Sequence, residues 1–179
     1  MSEGGELRRI GGKLVYRGPI ASVRMDRFQY PDGSKDVRQV VVHPGAVCML
    51  AHDHRVLYMV RQPREPVDEQ ALLELPAGKL DEQGESPLDT AKRELAEEIG
   101  KGARTWQHLT SFYTSPGFTD EECHLFIATN LFDERAEIEE NERIEIVEVP
   151  LSELDNVIRD CRDSKTLVGL LWLRAFLNR

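Results

Sequence analysis

One segment in the middle of the chain predicts a helix more clearly than any other and limits what can be built around it. Ser86 is an N-cap candidate, and Pro87 fits the first helical position. The apolar positions then recur at helical spacing, at Leu88, Ala91, Leu95 and Ile99. Gly100 and Gly102 supply the stop. A single amphipathic helix of this length must bury its apolar stripe against another layer of structure.

Short extended patterns surround this helix on both sides. The predicted strands are 13–17, 20–30, 37–43, 46–51, 56–61, 71–75, 106–113, 124–128 and 144–149. Two further helices, 152–162 and 164–177, close the sequence, and the last is assigned Trp172 and Phe176 as core residues. Strands interleaved with a few helices are typical of a mixed α/β or α+β class.

The charge balance excludes some classes of partner. Asp and Glu outnumber Lys and Arg by 32 to 23, which gives a net charge of −9. Surfaces that bind nucleic acid or anionic membranes need clustered positive charge, so we expect neither partner. No apolar run approaches the roughly 18 residues that span a bilayer, and the acidic N-terminus is unlike a signal peptide. The three cysteines are far apart, so we expect free thiols in a reducing cytoplasm.

The central helix also concentrates carboxylates. Glu94 and Glu98 lie one turn apart, with Glu97 at a neighbouring position, at the rim of the apolar stripe. Like charges at this spacing disfavour a helix by roughly 0.2–0.5 kcal/mol, whereas Mg²⁺ binds carboxylate oxygens readily. The alternative is a solvated acidic helix in which Arg93 pairs with Glu97. Upstream, a Pro-Ala-Gly break ending at Gly78 brings backbone beside the helix start and offers a carbonyl to a metal.

These residues together resemble the signature of the Nudix hydrolases. That signature is Gly, five residues, Glu, seven residues, then Arg-Glu-aliphatic-x-Glu-Glu-x-Gly-aliphatic. The matching positions are Gly78, Glu85, Arg93, Glu94, Leu95, Glu97, Glu98 and Gly100. Two features depart from it: the first gap, 79–84, holds six residues, and Lys101 replaces the closing aliphatic residue. A glycine-containing loop absorbs such an insertion at small entropic cost.

The resemblance implies a fold and a domain organisation. The fold is an α/β (α+β) one, a Nudix-type α/β/α sandwich with a mixed sheet and an N-terminal antiparallel β subdomain. Residues 1–43 form that subdomain, whose strands are expected to cross to the partner subunit of a homodimer. Residues 44–179 form the Nudix hydrolase domain.

Further motifs resemble one branch of the family, the ADP-ribose pyrophosphatases. They are the segments 41–47, 60–64 and 74–81, together with Pro116, which lies sixteen positions after Gly100. Pro63 departs from the branch, which has an aromatic or aliphatic residue there. The resemblance implies hydrolysis of the pyrophosphate bond of ADP-ribose to AMP and ribose 5-phosphate. The alternatives are an NDP-sugar pyrophosphatase, with GDP-mannose as an example, and a non-catalytic nucleotide-binding module.

The resemblance also implies the roles of residues around a divalent ion, Mg²⁺ or Mn²⁺. The metal ligands are the Ala77 carbonyl, Glu94 and Glu98, with Glu97 beside them and counted among the catalytic residues. The acidic cluster at 139–145 supplies Glu140 as general base and Glu142 as metal ligand, and these two roles are interchangeable. Taken alone, that cluster is typical of a solvated loop.

The remaining assignments concern structure and substrate. Arg93 bridges carboxylates of the signature, Glu85 fixes the loop to the helix, and Gly78 and Gly100 are structural. The candidate substrate contacts are Arg38, Arg64, Lys79 and Ser115. A plain surface ion pair is the competing interpretation for the two arginines. The expected ligand is a small nucleoside diphosphate, with no nucleic acid and no membrane as partner.

Overall fold

The computed structural model describes residues 6–19, 21–134, 136 and 143–177. The chain divides into two compact units. The first comprises Met1–Gly45 and Tyr113–Glu121, and the second comprises Ala46–Phe112 and Glu122–Arg179.

The first unit contains a three-stranded antiparallel sheet in the order β1-β2-β3. Its strands are β1 (Arg8–Arg17), β2 (Ser22–Gln29) and β3 (Lys35–Val42). The segment 113–121 belongs to this unit because it pairs with the end of β3, where the Val41 amide donates to the Phe118 carbonyl at 2.7 Å. The carboxylate of Asp26 on β2 is fully buried between Arg9 and Arg24.

The second unit contains a seven-stranded mixed sheet. Its strands are β4 (Ala46–His52), β5 (Val56–Arg64), β6 (Glu69–Glu74), β7 (Ala77–Lys79), β8 (Lys101–Tyr113), β9 (Glu122–Asp133) and β10 (Glu145–Pro150). The main order is β10-β5-β4-β9-β8, with β6 paired to β5 and β7 paired to β4. The β4–β9 pair is parallel, whereas β4 pairs antiparallel with β5 and β7.

Helices cover both faces of this sheet. They are α1 (Pro87–Ile99), α2 (Leu154–Asp160) and α3 (Ser164–Leu177). Alternate residues of β4 pack in opposite directions, with Met49 in the cluster that contains Leu95 of α1 and Leu50 in the cluster that contains Leu170 of α3. Burying each such side chain stabilises the fold by roughly 1.5–3 kcal/mol. The predicted α/β/α sandwich with a mixed sheet is confirmed.

The predicted caps of α1 are present. The Ser86 hydroxyl accepts a hydrogen bond from the Asp89 amide at 3.2 Å, and Pro87 is the first helical residue. Gly100 adopts the left-handed conformation with φ 65°, and its amide donates to the Ala96 carbonyl. A side chain at this position would be strained, so a glycine ends the helix cleanly.

Several details of the prediction are wrong. Strand β8 begins at Lys101, directly after the cap, because Gly100 already pairs through its carbonyl with the amide of Glu134. The short strand β7 was not predicted. Trp172 and Phe176 are 40% and 51% exposed rather than in the core, because α3 buries its other face.

The second predicted helix is shorter than expected. A 3₁₀ turn at Leu151–Glu153 precedes α2, which ends at Asp160. None of the helices in the described residues has the length and apolar character needed to cross a bilayer.

Candidate functional site

The corner between β6 and β7 is fixed by hydrogen bonds to strand β4 and to helix α3. The Met49 amide donates to the Pro76 carbonyl at 2.9 Å. The Leu75 amide donates to the buried hydroxyl of Thr166 on α3, also at 2.9 Å. After the corner, β7 pairs with β4, with Gly78 opposite Val47. A short loop held in this way presents its backbone at one defined place.

Glu98 of α1 contacts that corner directly. Its carboxylate oxygen Oε2 accepts a hydrogen bond from the Ala77 amide at 2.9 Å. The residue is only 7% exposed. Since an ionised carboxylate is rarely buried unless it is paired, the position of Glu98 indicates a built site rather than a solvated helix face.

Glu94, one turn earlier, lies against Gly78. A Cβ atom added at Gly78 would stand 2.0 Å from Cδ and 2.1 Å from Cγ of Glu94. Only a residue without a side chain allows this approach, which explains a glycine here although its φ is unremarkable. The two glutamates therefore converge on neighbouring backbone units, Ala77 and Gly78.

Arg93 lies among the carboxylates of the same helix. Its Nη1 is 2.7 Å from Glu97 and 3.0 Å from Glu94. Its Nε is 3.2 Å from Glu85, whose other oxygen accepts a hydrogen bond from the Thr90 hydroxyl at 2.9 Å. These contacts tie the loop before α1 to the helix itself.

The pKa values reflect this arrangement. Burial alone would lower the pKa of Arg93, but hydrogen bonds to Glu85 and Glu97 and the charge of Glu94 raise it above its ordinary value. The hydrogen bonds from Thr90 and Arg93 hold the pKa of Glu85 below its usual range. One guanidinium thus contacts three carboxylates, those of Glu85, Glu94 and Glu97.

The carboxylates at this site supply only part of the coordination shell that a hard cation needs. Among the described residues, no group of three or more His, Cys, Asp or Glu side chains is arranged to hold a metal. A cation at Glu94 and Glu98 must therefore complete its shell with backbone carbonyl, water or substrate oxygens. Mg²⁺ binds in this way, through one or two carboxylates plus phosphates and retained waters.

The predicted substrate contacts fall in both units. In the second unit, Arg64 makes a two-point contact with the buried carboxylate of Glu74, and Lys79 is the exposed last residue of β7. In the first unit, Arg38 donates to the Tyr30 hydroxyl at 3.0 Å and pairs with Asp36.

The first unit also holds Ser115 and a cavity. The Ser115 carbonyl accepts from the amides of Phe118 and Thr119. A cavity of about 360 Å³ in this unit is lined by Arg38, Phe28, Tyr30 and Pro116, among others. Glu140 and Glu142, together with Glu139, lie outside the described residues.

The model of the NUDIX domain family matches residues 41–168 of this chain. The chain belongs to the Nudix family. The resemblance to this family seen in the sequence is confirmed. Glu94 and Glu98, the carboxylates at the 77–78 corner, stand at positions that match the Nudix signature in the sequence.

Two relatives extend the match to 94% of this chain. An ADP-ribose pyrophosphatase of Bacillus subtilis (strain 168) is 38% identical over 94% of this chain and 93% of its own length. A methanol dehydrogenase activator of Bacillus methanolicus is 37% identical over the same shares. A solved structure of an ADP compounds hydrolase has a TM-score of 0.85 at 22% identity, covering 99% of this chain and 97% of its own, and shows the same fold.

Two groups at this Nudix site were missed in the sequence. Glu74 is 3% exposed and holds Arg64, and Thr166 anchors the corner from α3. The sequence contains an indication of the role of Glu74, because a lone glutamate inside the apolar run 71–75 needs a cation nearby if it is buried. The sequence contains no such indication for Thr166, since nothing around a threonine in a helix predicts a hydrogen bond to a residue 91 positions away.

Proposed function

We propose that this chain hydrolyses the pyrophosphate bond of ADP-ribose to AMP and ribose 5-phosphate with the help of a divalent cation. The observation that carries the proposal is the convergence of Glu94 and Glu98 on the backbone of Gly78 and Ala77. A binding module for nucleotides has no need of carboxylates held so close together. The match to a named ADP-ribose pyrophosphatase over nearly the whole chain supports the choice of substrate.

The proposed cation is Mg²⁺, with Mn²⁺ as a substitute. Its ligands are the Ala77 carbonyl, Glu94 and Glu98, with Glu97 as a further ligand or neighbour. When bound, such an ion neutralises phosphate charge, polarises a phosphoryl oxygen and acidifies a water molecule. This chemistry explains how a protein of net charge −9 accepts an anionic diphosphate.

The protein's own groups would orient the reactants. Arg93 holds Glu97 and Glu94 in place against their mutual repulsion. Arg64 and Lys79 are proposed to bind the diphosphate, and Arg38 and Ser115 to contact the rest of the substrate. Positioning of this kind converts binding energy into rate.

The general base is proposed to come from the acidic segment 139–142. Glu140 takes the proton from the attacking water and Glu142 contributes to metal binding, or the roles are exchanged. Replacing Glu140 and Glu142 one at a time with glutamine, and measuring the rate against pH, tests this assignment. Loss of the base removes the acidic limb of the pH–rate profile.

The proposed assembly is a homodimer in which residues 1–43 cross to the partner subunit, and the proposed location is the cytoplasm. Sedimentation of the full chain and of a variant lacking residues 1–43 tests the first point. A full chain that sediments as a monomer contradicts it.

Two other functions are alternatives. NDP-sugars, GDP-mannose among them, carry the same diphosphate and differ only in the groups attached. The similarity to a methanol dehydrogenase activator suggests stimulation of a dehydrogenase as a second candidate. Adding this chain to a purified methanol dehydrogenase, with and without Mg²⁺, tests that possibility directly.

The decisive test is a substrate panel. ADP-ribose, GDP-mannose, other NDP-sugars, NADH, dinucleoside polyphosphates and CoA are each incubated with the protein and Mg²⁺ in ¹⁸O-labelled water. We expect ADP-ribose to be turned over with the highest kcat/KM and the label to appear in one product. Preference for another compound changes the substrate, and no turnover of any compound contradicts the enzymatic proposal.

A further inference from the structure

Glu74 is an acidic residue in an apolar place. It ends strand β6, its side chain is 4% exposed, and its neighbours in the chain are Leu73 and Leu75. Taking a carboxylate out of water costs several kcal/mol unless hydrogen bonds and an opposite charge compensate for it. Glu74 therefore needs hydrogen-bond donors and a cation beside it, and the identity of these partners indicates what the carboxylate does.

Arg64 on the neighbouring strand β5 supplies that match with one edge of its guanidinium. Nε donates to Oε1 of Glu74 at 2.8 Å, and Nη2 donates to Oε2 at 2.5 Å. The Gln62 amide adds a third bond to Oε2 at 3.1 Å. Such a two-point contact fixes the plane of the guanidinium as well as its distance.

The other edge of the same guanidinium remains available. No group among the described residues accepts a hydrogen bond from Nη1 of Arg64, and the side chain is 40% exposed. The hydrogen bonds to Glu74 raise the pKa of Arg64, so it stays charged at every working pH. A fixed cation with one unused donor edge matches a phosphate group.

The location connects this pair to the carboxylates of α1. Glu74 precedes Ala77 by three residues, so their Cα atoms lie within about 11 Å. Glu74 lies directly opposite Val60 in the β5–β6 pair, so the two side chains share one face of the sheet. Val60 packs in the cluster that contains Leu95 of α1, so Glu74 and its partner Arg64 lie on the face of the sheet that α1 covers.

We infer that Glu74 is a positioning residue that orients Arg64 through its Nε–Nη2 edge, so that Nη1 is aimed at the diphosphate of the substrate. The inference rests on the proposed function but concerns a residue that never touches the substrate. It also explains why arginine stands at position 64. Lysine offers a point charge that neutralises Glu74 yet cannot be oriented by it.

The test is a double-mutant cycle on ligand affinity. The dissociation constant of ADP-ribose is measured calorimetrically without added divalent ion for wild type, Glu74→Gln, Arg64→Ala and the double variant. We expect Glu74→Gln to weaken binding about tenfold, in line with the loss of an orienting partner. In the Arg64→Ala background, Glu74→Gln should then change affinity by less than about twofold.

Steady-state kinetics supply a second readout that a purely structural role would not move. Because the contact forms before chemistry, Glu74→Gln should raise KM about tenfold and leave kcat within about threefold. Arg64→Lys keeps the buried charge matched and the fold intact, and should raise KM as much as Arg64→Ala does. Arg64→Lys therefore serves as the test if Glu74→Gln does not fold.

The matched control is Glu69→Gln, which removes the ion pair with Arg162 at the other end of β6. It should leave affinity and KM unchanged. Additive effects of Glu74→Gln and Arg64→Ala, or full affinity in Arg64→Lys, overturn the inference while leaving the proposed function intact. If wild type binds another compound of the panel instead, the cycle is run with that compound. Absence of binding by every compound overturns the inference, and absence of turnover of every compound with Mg²⁺ contradicts the proposed function as well.

Discussion

Two charged clusters, one in each unit, differ in charge balance: one has as many arginines as carboxylates, and the other has an excess of carboxylates. In the first unit, Asp26 and Asp120 face Arg9 and Arg24, with contacts of 2.6–3.4 Å. In the second unit, Glu85, Glu94 and Glu97 all contact the guanidinium of Arg93. Both clusters are partly buried, so neither is an accident of a solvated surface.

We interpret the balanced cluster as one that stabilises the fold and the unbalanced cluster as one that serves the proposed function. A balanced cluster stabilises the folded state by itself, and removing one partner leaves a buried charge unmatched. An unbalanced cluster stores repulsion between like charges, which a bound cation relieves. We therefore expect the same kind of change, a carboxylate replaced by its amide, to have different consequences in the two places.

The largest effect is expected for Glu98→Gln. The amide still accepts the hydrogen bond from Ala77, so the fold and the melting temperature are retained. A lost metal ligand removes several kcal/mol of transition-state stabilisation, or about a thousandfold in kcat. Steady-state assays measure the loss of kcat, and thermal unfolding of the same samples checks that the melting temperature is retained. Near-normal activity would show that the metal lies elsewhere.

Asp26→Asn should have the opposite profile. The change puts a neutral amide between Arg9 and Arg24, which are 47% and 25% exposed, so charge-assisted hydrogen bonds are lost and the free energy of unfolding falls by about 2 kcal/mol. Urea denaturation measures the loss, and kcat with saturating Mg²⁺ should remain that of wild type wherever the protein is folded. If stability is unchanged, the balanced cluster is not structural and the contrast between the two units fails.

Gly78→Ala tests the close approach of Glu94. The new methyl group occupies the space of Cγ and Cδ of Glu94 and displaces the carboxylate. A displacement of about 1 Å can reduce the rate up to a hundredfold, so we expect a loss of ten- to a hundredfold in kcat. The control is Lys92→Ala on the exposed side of the same helix, which should have no effect. Equal activity of both variants would mean that Glu94 need not stand where it does.

The smallest effect concerns a balanced carboxylate within the second unit, Asp163. Burial alone would raise its pKa, but Lys165 and the hydrogen bond from the Thr166 amide lower it. A lowered pKa adds stability that is present above the unfolded value of about 3.9 and is lost as the pH falls through the folded value.

We therefore expect Asp163→Asn to lower the free energy of unfolding by about 1 kcal/mol at pH 7. That difference should shrink steadily as the pH falls below about 3.9. Urea denaturation at a series of pH values checks it, with kcat unchanged. A constant difference at all pH values would mean that the charge of Asp163 plays no part.

Much of the fold followed from local patterns in the sequence. The cap residues of α1 and its apolar stripe mark one face of one helix, so both ends and the buried side were predictable. Strand β4 of the central sheet is a continuous apolar run between turn residues, which is typical of a strand buried on both faces. The faces of α3 were not predictable, because apolar residues surround that helix and periodicity cannot select the side that carries Leu170 over the side that carries Trp172.

The site was predictable where its residues are close in the chain. Spacing alone placed Glu94 and Glu98 on one stripe, and their resemblance to a family signature extended this to Gly78. Contacts between distant segments left no such mark. The bond from Leu75 to Thr166 and the pairing of Val41 with Phe118 depend on how strands and helices meet in space.

The central claim is that the excess carboxylates of α1 hold a divalent cation. Titration of the protein with Mn²⁺, followed by electron paramagnetic resonance, tests it without any substrate. The account predicts saturable binding to wild type, weakened at least about tenfold in Glu98→Gln and unchanged in Glu69→Gln. Identical binding curves for wild type and Glu98→Gln would contradict it.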